Sequence, residues 1–237
     1  GAKLDLLQIF LGNNNSAQNH LIEIKLESKV ELTHGIISLG EEKESSSICT
    51  VAVEQSEKSK YSLHSIHHGW DYARFEPRII QIHGEASTTI KGLQVTKSKE
   101  QIATHSLIRF EGPNGNLDQL QKAVASEQSH CIFNGSIEVP QKAQKTEAAQ
   151  LSRNLLLSKR ARIDTKPELE IVADDVRCTH GATVSQLQDE ELFYLLSRGI
   201  DNEHANSLLL KGYYDEIISH FPKSAVKWKV FEKLIQI

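Results

Sequence analysis

The feature that most limits the fold is a series of short apolar segments that recur about every ten residues up to about residue 184. Within each segment apolar side chains occupy alternate positions, and the breaks are rich in Gly, Asn, Ser and Glu. Strands at such even spacing are typical of a β-sandwich, a β-barrel or a β-solenoid. Only residues 117–125 are a serious candidate for a helix in this stretch. The protein is therefore predicted to be mainly β.

Turn chemistry and strand composition favour the solenoid. Asn-Gly and Asp-Gly turns, which join hairpin strands, occur only at residues 114–115 and 134–135. Polar residues also interrupt the alternation that a sandwich would show, namely Thr88, Thr89, Gln141, Gln144 and Gln150. In a solenoid each coil stacks only on its neighbours, so the end coils present open strand edges. A partner or a dimer is therefore predicted at an end of the stack.

After Thr183 the apolar spacing changes to that of helices. The first predicted helix spans residues 188–199, with acidic side chains in its first turn and a glycine stop. The second follows the N-cap Asp201 and ends at Pro222. A third is marked by three large apolar side chains, Trp228, Phe231 and Ile235. These boundaries predict a β-helix core domain over residues 1–186 and a helical domain over residues 187–237.

The helical tail has more apolar residues than three short helices can hide from one another. One interpretation is that the tail caps an end of the solenoid. The other is that it forms a docking surface for another protein, since exposed apolar patches usually mark contacts. Both interpretations can hold.

Composition excludes several classes of protein. The 237 residues carry 27 basic and 31 acidic side chains, a net charge of −4, which argues against a general nucleic-acid binder. Three widely spaced cysteines without a CxxC pair argue against a disulfide framework and fit a reducing compartment. No apolar run approaches transmembrane length. The start Gly1-Ala2-Lys3 and the lack of methionine predict a piece of a longer protein.

The strongest chemical signal lies in residues 165–183. A strand ends at Asp174-Asp175, where a turn is expected, and Cys178 and His180 follow at a spacing of two. If that segment is extended, the thiol and the imidazole project from the same face, beside the permissive backbone of Gly181. Such ligands suit iron, zinc or copper(I). Two ligands do not close a site, so either a second chain completes it or there is no site; a buried cysteine is the plainer alternative.

Other features carry weaker signals. His64, His67 and His68 lie in a polar, loop-like stretch and are expected to be surface histidines. A polysaccharide-acting β-solenoid would need paired carboxylates, and adjacent Asp174 and Asp175 would point to opposite faces of a strand. The sequence contains no Gly-x-Ser-x-Gly nucleophile elbow, which argues against a Ser/His/Asp hydrolase, and no GxxxxGK[ST] loop, which argues against an ATP site. A metal-free interaction module remains an alternative.

Several motifs in the second half of the chain resemble the SufB/SufD family of the SUF iron–sulfur cluster assembly system. The resemblance is most specific over residues 133–200, is looser upstream, and corresponds to the C-terminal half of such a protein. Thr179-His-Gly-Ala-Thr183 stands where the SufB branch typically has Glu-His-Glu-Ala-Thr, so the chain resembles the SufD branch. The motifs are Phe133-Asn-Gly-Ser-Ile-Glu-Val139, Ala143-Gln-Lys-Thr-Glu-Ala-Ala-Gln150, Arg153-Asn-Leu-Leu-Leu-Ser158, Thr165-Lys-Pro-Glu-Leu-Glu-Ile171, Ala173-Asp-Asp-Val-Arg-Cys-Thr-His-Gly-Ala-Thr183 and Leu192-Phe-Tyr-Leu-Leu-Ser-Arg-Gly-Ile200.

The resemblance implies a non-enzymatic scaffold with a right-handed parallel β-helix and a small C-terminal helical domain. Its β-helix end would pair with a SufB-like subunit, and a transient iron–sulfur cluster would form at their interface. By motif match His180 is the implied metal ligand, while Cys178 is a second cluster-binding candidate with a less clear role.

The same resemblance implies further partners. The helical domain would dock a SufC-like ABC ATPase, and the candidate contact residues are Leu192, Phe193, Tyr194, Arg198, Leu208 and Leu209. A flavin (FAD) in the full complex and a homodimer in the absence of SufB are also allowed. The expected location is the bacterial cytoplasm, or the plastid stroma in a photosynthetic eukaryote, with neither nucleic acid nor membrane as partner.

Overall fold

The computed structural model describes residues 1–13, 15–40, 44–187 and 189–222, which form thirteen strands followed by two helices. One sheet has seven strands, in the order β1 (Lys3–Gly12), β3 (Glu31–Gly40), β5 (Lys60–His68), β7 (Ser87–Thr96), β9 (Asn116–Ala125), β11 (Glu147–Leu156) and β13 (Arg177–Ser185). The other has six, in the order β2 (Ala17–Leu26), β4 (Ser46–Gln55), β6 (Tyr72–Gln81), β8 (Gln101–Phe110), β10 (His130–Val139) and β12 (Arg162–Ile171). The helices are α1 (Asp189–Ser197) and α2 (Asn202–Ile218).

The chain alternates between the two sheets and so winds into a solenoid of about six turns. Each strand pairs in parallel with the strand two places later: Lys3 lies beside Glu31, and Glu31 lies beside Lys60. Parallel neighbours cannot be joined by a tight hairpin, which explains why hairpin turn sequences are scarce. The predicted parallel β-solenoid is confirmed.

The space between the sheets is filled by alternate side chains from both. Tyr61, Phe75, Ile108 and Ile137 are buried in one continuous apolar cluster that extends along the stack. Each such side chain contributes about 1.5–3 kcal/mol through the removal of apolar surface from water. The alternating apolar positions of the sequence are therefore the positions that face this interior.

A second apolar cluster lies on the outer face of the seven-stranded sheet, beneath α2. Leu210, Tyr214 and Ile217 of the helix pack, with Phe221, against side chains of successive strands such as Ile66 and Leu93. The described part of the tail thus covers a face of the solenoid and not an end, which corrects the first interpretation for these residues. The predicted third helix lies outside the described residues.

The helix termini follow the sequence signals. Asp201 is the N-cap of α2, and its carboxylate accepts a hydrogen bond of 3.0 Å from the amide of His204. Gly199 adopts a φ of +84° after α1, a conformation that glycine takes without strain, and so ends that helix as predicted. In the described part of the chain, neither helix is both long and apolar enough to cross a membrane.

The helix predicted for residues 117–125 is wrong, because this segment is strand β9. Its inward side chains include Gln119 and Gln121, and its outward side chains Leu120, Lys122 and Val124 are buried beneath α2. Both faces of the strand are covered, so the segment shows no alternation of apolar and polar residues. A strand buried on both faces is hard to distinguish from a buried helix by periodicity.

The expectation that His64, His67 and His68 are surface residues is also wrong. They lie on β5, where His64 and His67 are buried and His68 is half-buried. His64 stacks on His220 behind α2, while His67 packs in the interior against Phe75 at 4.6 Å between ring centroids. Burial lowers the pKa of His64 to about 4 and that of His67 to about 3. These rings are thus neutral parts of the core.

The buried histidines predict that acid destabilises the fold. A histidine of the unfolded chain gains a proton below pH 6.5, whereas His64 and His67 stay neutral in the folded chain until the pH nears 4 or 3. The unfolded state therefore binds more protons, and the free energy of unfolding falls by about 1.4 kcal/mol per pH unit for each histidine below pH 6.5. Urea titrations at pH 7.5 and 5.5 measure this, and His67→Gln should reduce the pH dependence by one histidine's share. An unchanged dependence would contradict the burial.

Candidate functional site

The candidate site lies on the last coil of the solenoid, which is made by β12 and β13. These are the terminal strands of the two sheets at the C-terminal end, so each has one edge that no described strand pairs with. Large apolar side chains are exposed there, namely Ile171, Val172 and Val184. A free strand edge offers unpaired backbone groups to another chain. The arrangement suits contact with a second subunit.

His180 and Cys178 both belong to β13 and, two residues apart, are directed to the inner side of the sheet. In register, Cys178 lies beside Ala148 and His180 beside Gln150 of β11. His180 is nevertheless exposed, because no further coil of the described chain covers it. The structure therefore brings the two predicted ligands to one face of one strand, at an open end of the stack.

Cys178 differs from His180 in its surroundings. It is half-buried and packs against the interior apolar cluster. Burial raises the pKa of the Cys178 thiol above its usual value, and a backbone hydrogen bond with Ala148 opposes this rise. Since metals bind the thiolate, the environment makes Cys178 the weaker ligand of the pair.

The turn between the two terminal strands contains Asp174 and Asp175, as predicted. The carboxylate of Asp174 accepts a hydrogen bond of 2.9 Å from Gln141, and the amide of Asp175 donates one of 2.9 Å to Gln144. Both contacts tie this turn to the turn of the preceding coil. Gly181 continues the strand, and a Cβ there would make an ordinary 3.5 Å contact with Leu151.

The described residues contain no cluster of three or more His, Cys, Asp or Glu side chains arranged to hold a metal ion. His180 and Cys178 are thus at most half of a coordination sphere, because iron and zinc sites usually have four ligands. If these two residues bind a metal, further ligands are needed, and the open edge of the terminal coil is accessible to a second chain that could supply them.

The predicted docking residues lie on α1, directly after it at Arg198, and in the first half of α2. Phe193 is 72% exposed and Leu208 is 49% exposed, and Tyr194 is exposed beside them with the Arg198 guanidinium 5.4 Å from its ring. Leu192 and Leu209 are half-buried. No residue of α1 is buried, so this helix presents an apolar surface away from the solenoid.

Two residues that fix the site were not singled out from the sequence for that purpose. Lys122, only 2% exposed, holds α2 on the sheet: its ammonium group donates to the carbonyl of Tyr213 at 2.7 Å and pairs with Glu216 at 2.5 Å. Gln150 lies in the interior beneath His180. For Gln150 the sequence signals were a polar residue at an inward strand position and its place at the end of the motif at residues 143–150. Lys122 stands at an outward position of β9, and its burial by α2 leaves no local signal.

Comparison with known proteins agrees with the motifs. Residues 1–213 match the family described as SUF system FeS cluster assembly, SufBD core domain. A SufBD family iron–sulfur cluster assembly protein of Synechocystis is 37% identical over 212 residues, which are 90% of this chain and 47% of that protein. The chloroplastic protein ABCI7 of Arabidopsis thaliana is 31% identical over 231 residues, 96% of this chain and 48% of its own length.

A SufD of Escherichia coli, described as an iron–sulfur cluster assembly protein, is 38% identical over 157 residues, 66% of this chain and 37% of that protein. The chain thus spans about half or less of the length of these relatives. The family match over residues 1–213 nonetheless covers the whole solenoid, including the coil that carries His180, together with α1 and most of α2. The chain belongs to the SufBD core family of the SUF iron–sulfur cluster assembly system.

Proposed function

We propose that this chain is a scaffold subunit on which an iron–sulfur cluster is assembled together with a SufB-like subunit. The observation that carries the proposal is the exposed His180 on the unpaired terminal coil of a member of this family. The nascent cluster is the cargo of the scaffold, and a neutral imidazole is a suitable ligand for its iron. The scaffold performs no bond chemistry of its own in this proposal.

The mechanism follows from the incomplete ligand set. Pairing of the partner with the edge of β12 or β13 would place its thiolates or carboxylates beside His180 and exclude water from the metal. Imidazole is a neutral ligand and leaves the iron less electron-rich than a thiolate would, so a site with one histidine among thiolates has a higher reduction potential. A cluster held in part by His180 across a subunit boundary is released when that boundary opens.

The exposed surface of α1 and α2 is proposed to bind a SufC-like ATPase. Phe193, Tyr194 and Leu208 form the apolar part of this surface, and Arg198 lies at its side. Aromatic residues and arginine are the usual anchors of protein interfaces. Because α2 packs along the seven-stranded sheet, a force applied to the helices is transmitted to the solenoid.

The described helices do not fit a flavin. The first turn of α1 carries Asp189, Glu190 and Glu191, and α2 begins with Asp201 as N-cap and Glu203 in its first turn. These carboxylates repel the diphosphate of FAD at the helix ends where such a group would otherwise bind. No step of the mechanism proposed above involves a flavin.

Co-purification tests this function. The full-length protein, expressed with SufB-like and SufC-like subunits and isolated without oxygen, is expected to retain both partners together with iron and acid-labile sulfide. Partner binding without iron or sulfide would identify a metal-free interaction module, and failure to bind either partner would refute the proposal.

A variant separates the two interfaces. Phe193→Asp places a charge on the exposed face of α1 and should weaken ATPase binding at least about ten-fold, while the SufB-like partner stays bound. The matched control is Ile48→Asp, since Ile48 is an exposed apolar residue on the other sheet. Equal loss of the ATPase from both variants would contradict the assigned surface.

A further inference from the structure

A row of polar side chains runs through the interior toward His180. His180 of β13 is in register with Gln150 of β11, and Gln150 is in register with Gln119 of β9. All three occupy inward positions of their strands, and both glutamines are almost completely buried. The imidazole is the last member of this row and the one that reaches solvent.

Hydrogen bonds fix the orientation of the Gln150 amide. Its Nε2 donates to Oε1 of Gln119 at 2.8 Å, and Nε2 of Gln119 donates to the hydroxyl of Ser106 at 2.9 Å. The side-chain nitrogen of Gln150 is thus already hydrogen-bonded to Gln119 of the preceding coil. Its Oε1 is buried and has no hydrogen-bond partner within the described residues. A buried acceptor without a donor is costly, so a donor within reach would be stabilised by pairing with it.

Gly135 on the opposite sheet provides the space for this amide. A Cβ at position 135 would overlap with Nε2 of Gln150 and would lie 2.6 Å from Cζ of Phe133. Any larger residue would therefore displace the Gln150 side chain. The glycine, the anchored nitrogen and the free oxygen together define one position for the amide.

We propose that Gln150 is a positioning residue for His180: its free Oε1 accepts a hydrogen bond from one ring nitrogen of the imidazole and leaves the other nitrogen available to iron. The inference rests on the proposed role of His180 as a ligand. The ring has to turn inward for this contact, and its exposed position on the terminal coil leaves it room to do so. A hydrogen bond to the second nitrogen of a ligating histidine selects its tautomer and orients the ring.

The tautomer of His180 tests this proposal without iron. In the complex with the SufB-like subunit, isolated free of metal and labelled with ¹⁵N-histidine, His180 should be protonated at one ring nitrogen predominantly. Gln150→Leu removes the acceptor and should change the tautomer ratio about five-fold toward that of a free histidine. Gln150→Glu should keep the wild-type ratio, because a protonated carboxyl group can donate to Oε1 of Gln119 and still accept a hydrogen bond from His180 with its other oxygen. Gly135→Ala, which displaces the amide, should act like Gln150→Leu.

Asn154→Leu is the matched control. Asn154 is a buried inward amide of the same strand, but its neighbour in register is Val184. An unchanged ratio in Gln150→Leu, or an equal change in Asn154→Leu, overturns the inference. The failures of the two proposals are distinguishable: a changed tautomer in Gln150→Leu supports the hydrogen bond from His180 even if clusters assemble without His180, in which case only the ligand role fails. Conversely, dependence of assembly on His180 with no change of tautomer leaves the function intact and refutes the inference.

Discussion

Replacing His180 by alanine is expected to remove the iron and sulfide that the complex retains, by more than about ten-fold, while the protein stays folded. In the proposed function the ring of His180, which is exposed on the terminal coil, is the iron ligand of this chain. Cys178 is expected to be a poor substitute because burial raises the pKa of its thiol. The side chain is exposed, so its loss should change the free energy of unfolding by only about 0.5 kcal/mol. Anaerobic iron and sulfide analysis and a urea titration measure the two effects.

His83→Ala is the control for a general loss of imidazole, since His83 is exposed on a turn far along the chain from the terminal coil. His180→Cys should recover part of the iron because a thiolate is also an iron ligand. Retention of iron and sulfide by His180→Ala at the wild-type level would remove His180 from the site.

Lys122→Glu is expected to release α2 from the sheet. The ammonium group of Lys122 neutralises Glu216 and lies 3.9 Å from the ring centre of Tyr213, in a place that is closed to water. Burial lowers the pKa of Lys122, and the carboxylate of Glu216 opposes this effect. A glutamate there would bury an unpaired negative charge beside Glu216. Because Glu216 is 43% exposed and can turn to solvent, we expect a cost of about 2–3 kcal/mol, which is less than for a fully buried pair. Hydrogen exchange of the α2 amides, with the solenoid amides as reference, measures the release.

The double substitution Lys122→Glu with Glu216→Lys should restore most of the protection of α2, because it returns the two charges in exchanged order. Binding of the SufC-like ATPase should fall in the single variant and recover in the double one. If α2 stays protected in Lys122→Glu, the ion pair does not hold the helix.

The solenoid was predictable because its cause is local. Inward and outward residues alternate along each strand and are visible in its sequence. Hairpin turn sequences such as Asn114-Gly115 are scarce, which argues against antiparallel neighbouring strands. The N-cap of α2 at Asp201 and the glycine that ends α1 at Gly199 were also predictable from the sequence, since capping depends on residues only a few positions apart.

The errors have a common origin in contacts between distant parts of the chain. The outward side of β9 is buried because α2, about 90 residues further on, lies over the sheet. His64 of β5 is covered by His220 and Phe221, which directly follow α2. That contact produces no recognisable pattern of apolar residues in the sequences of the strands. The same limit applies to the site: the spacing of Cys178 and His180 predicts a shared side of a strand, but not that one packs into the core while the other meets solvent.

The position of β13 at the end of a one-dimensional stack has a thermodynamic consequence. An internal coil is stabilised from two sides, whereas this coil rests on β10 and β11 on one side only and is therefore expected to open before the internal coils do. A subunit that pairs with it supplies the missing half of its nearest-neighbour energy. Binding of the partner subunit and ordering of the coil that carries His180 are therefore coupled. Slower amide exchange in the terminal coil thus measures the fraction of the protein that is assembled.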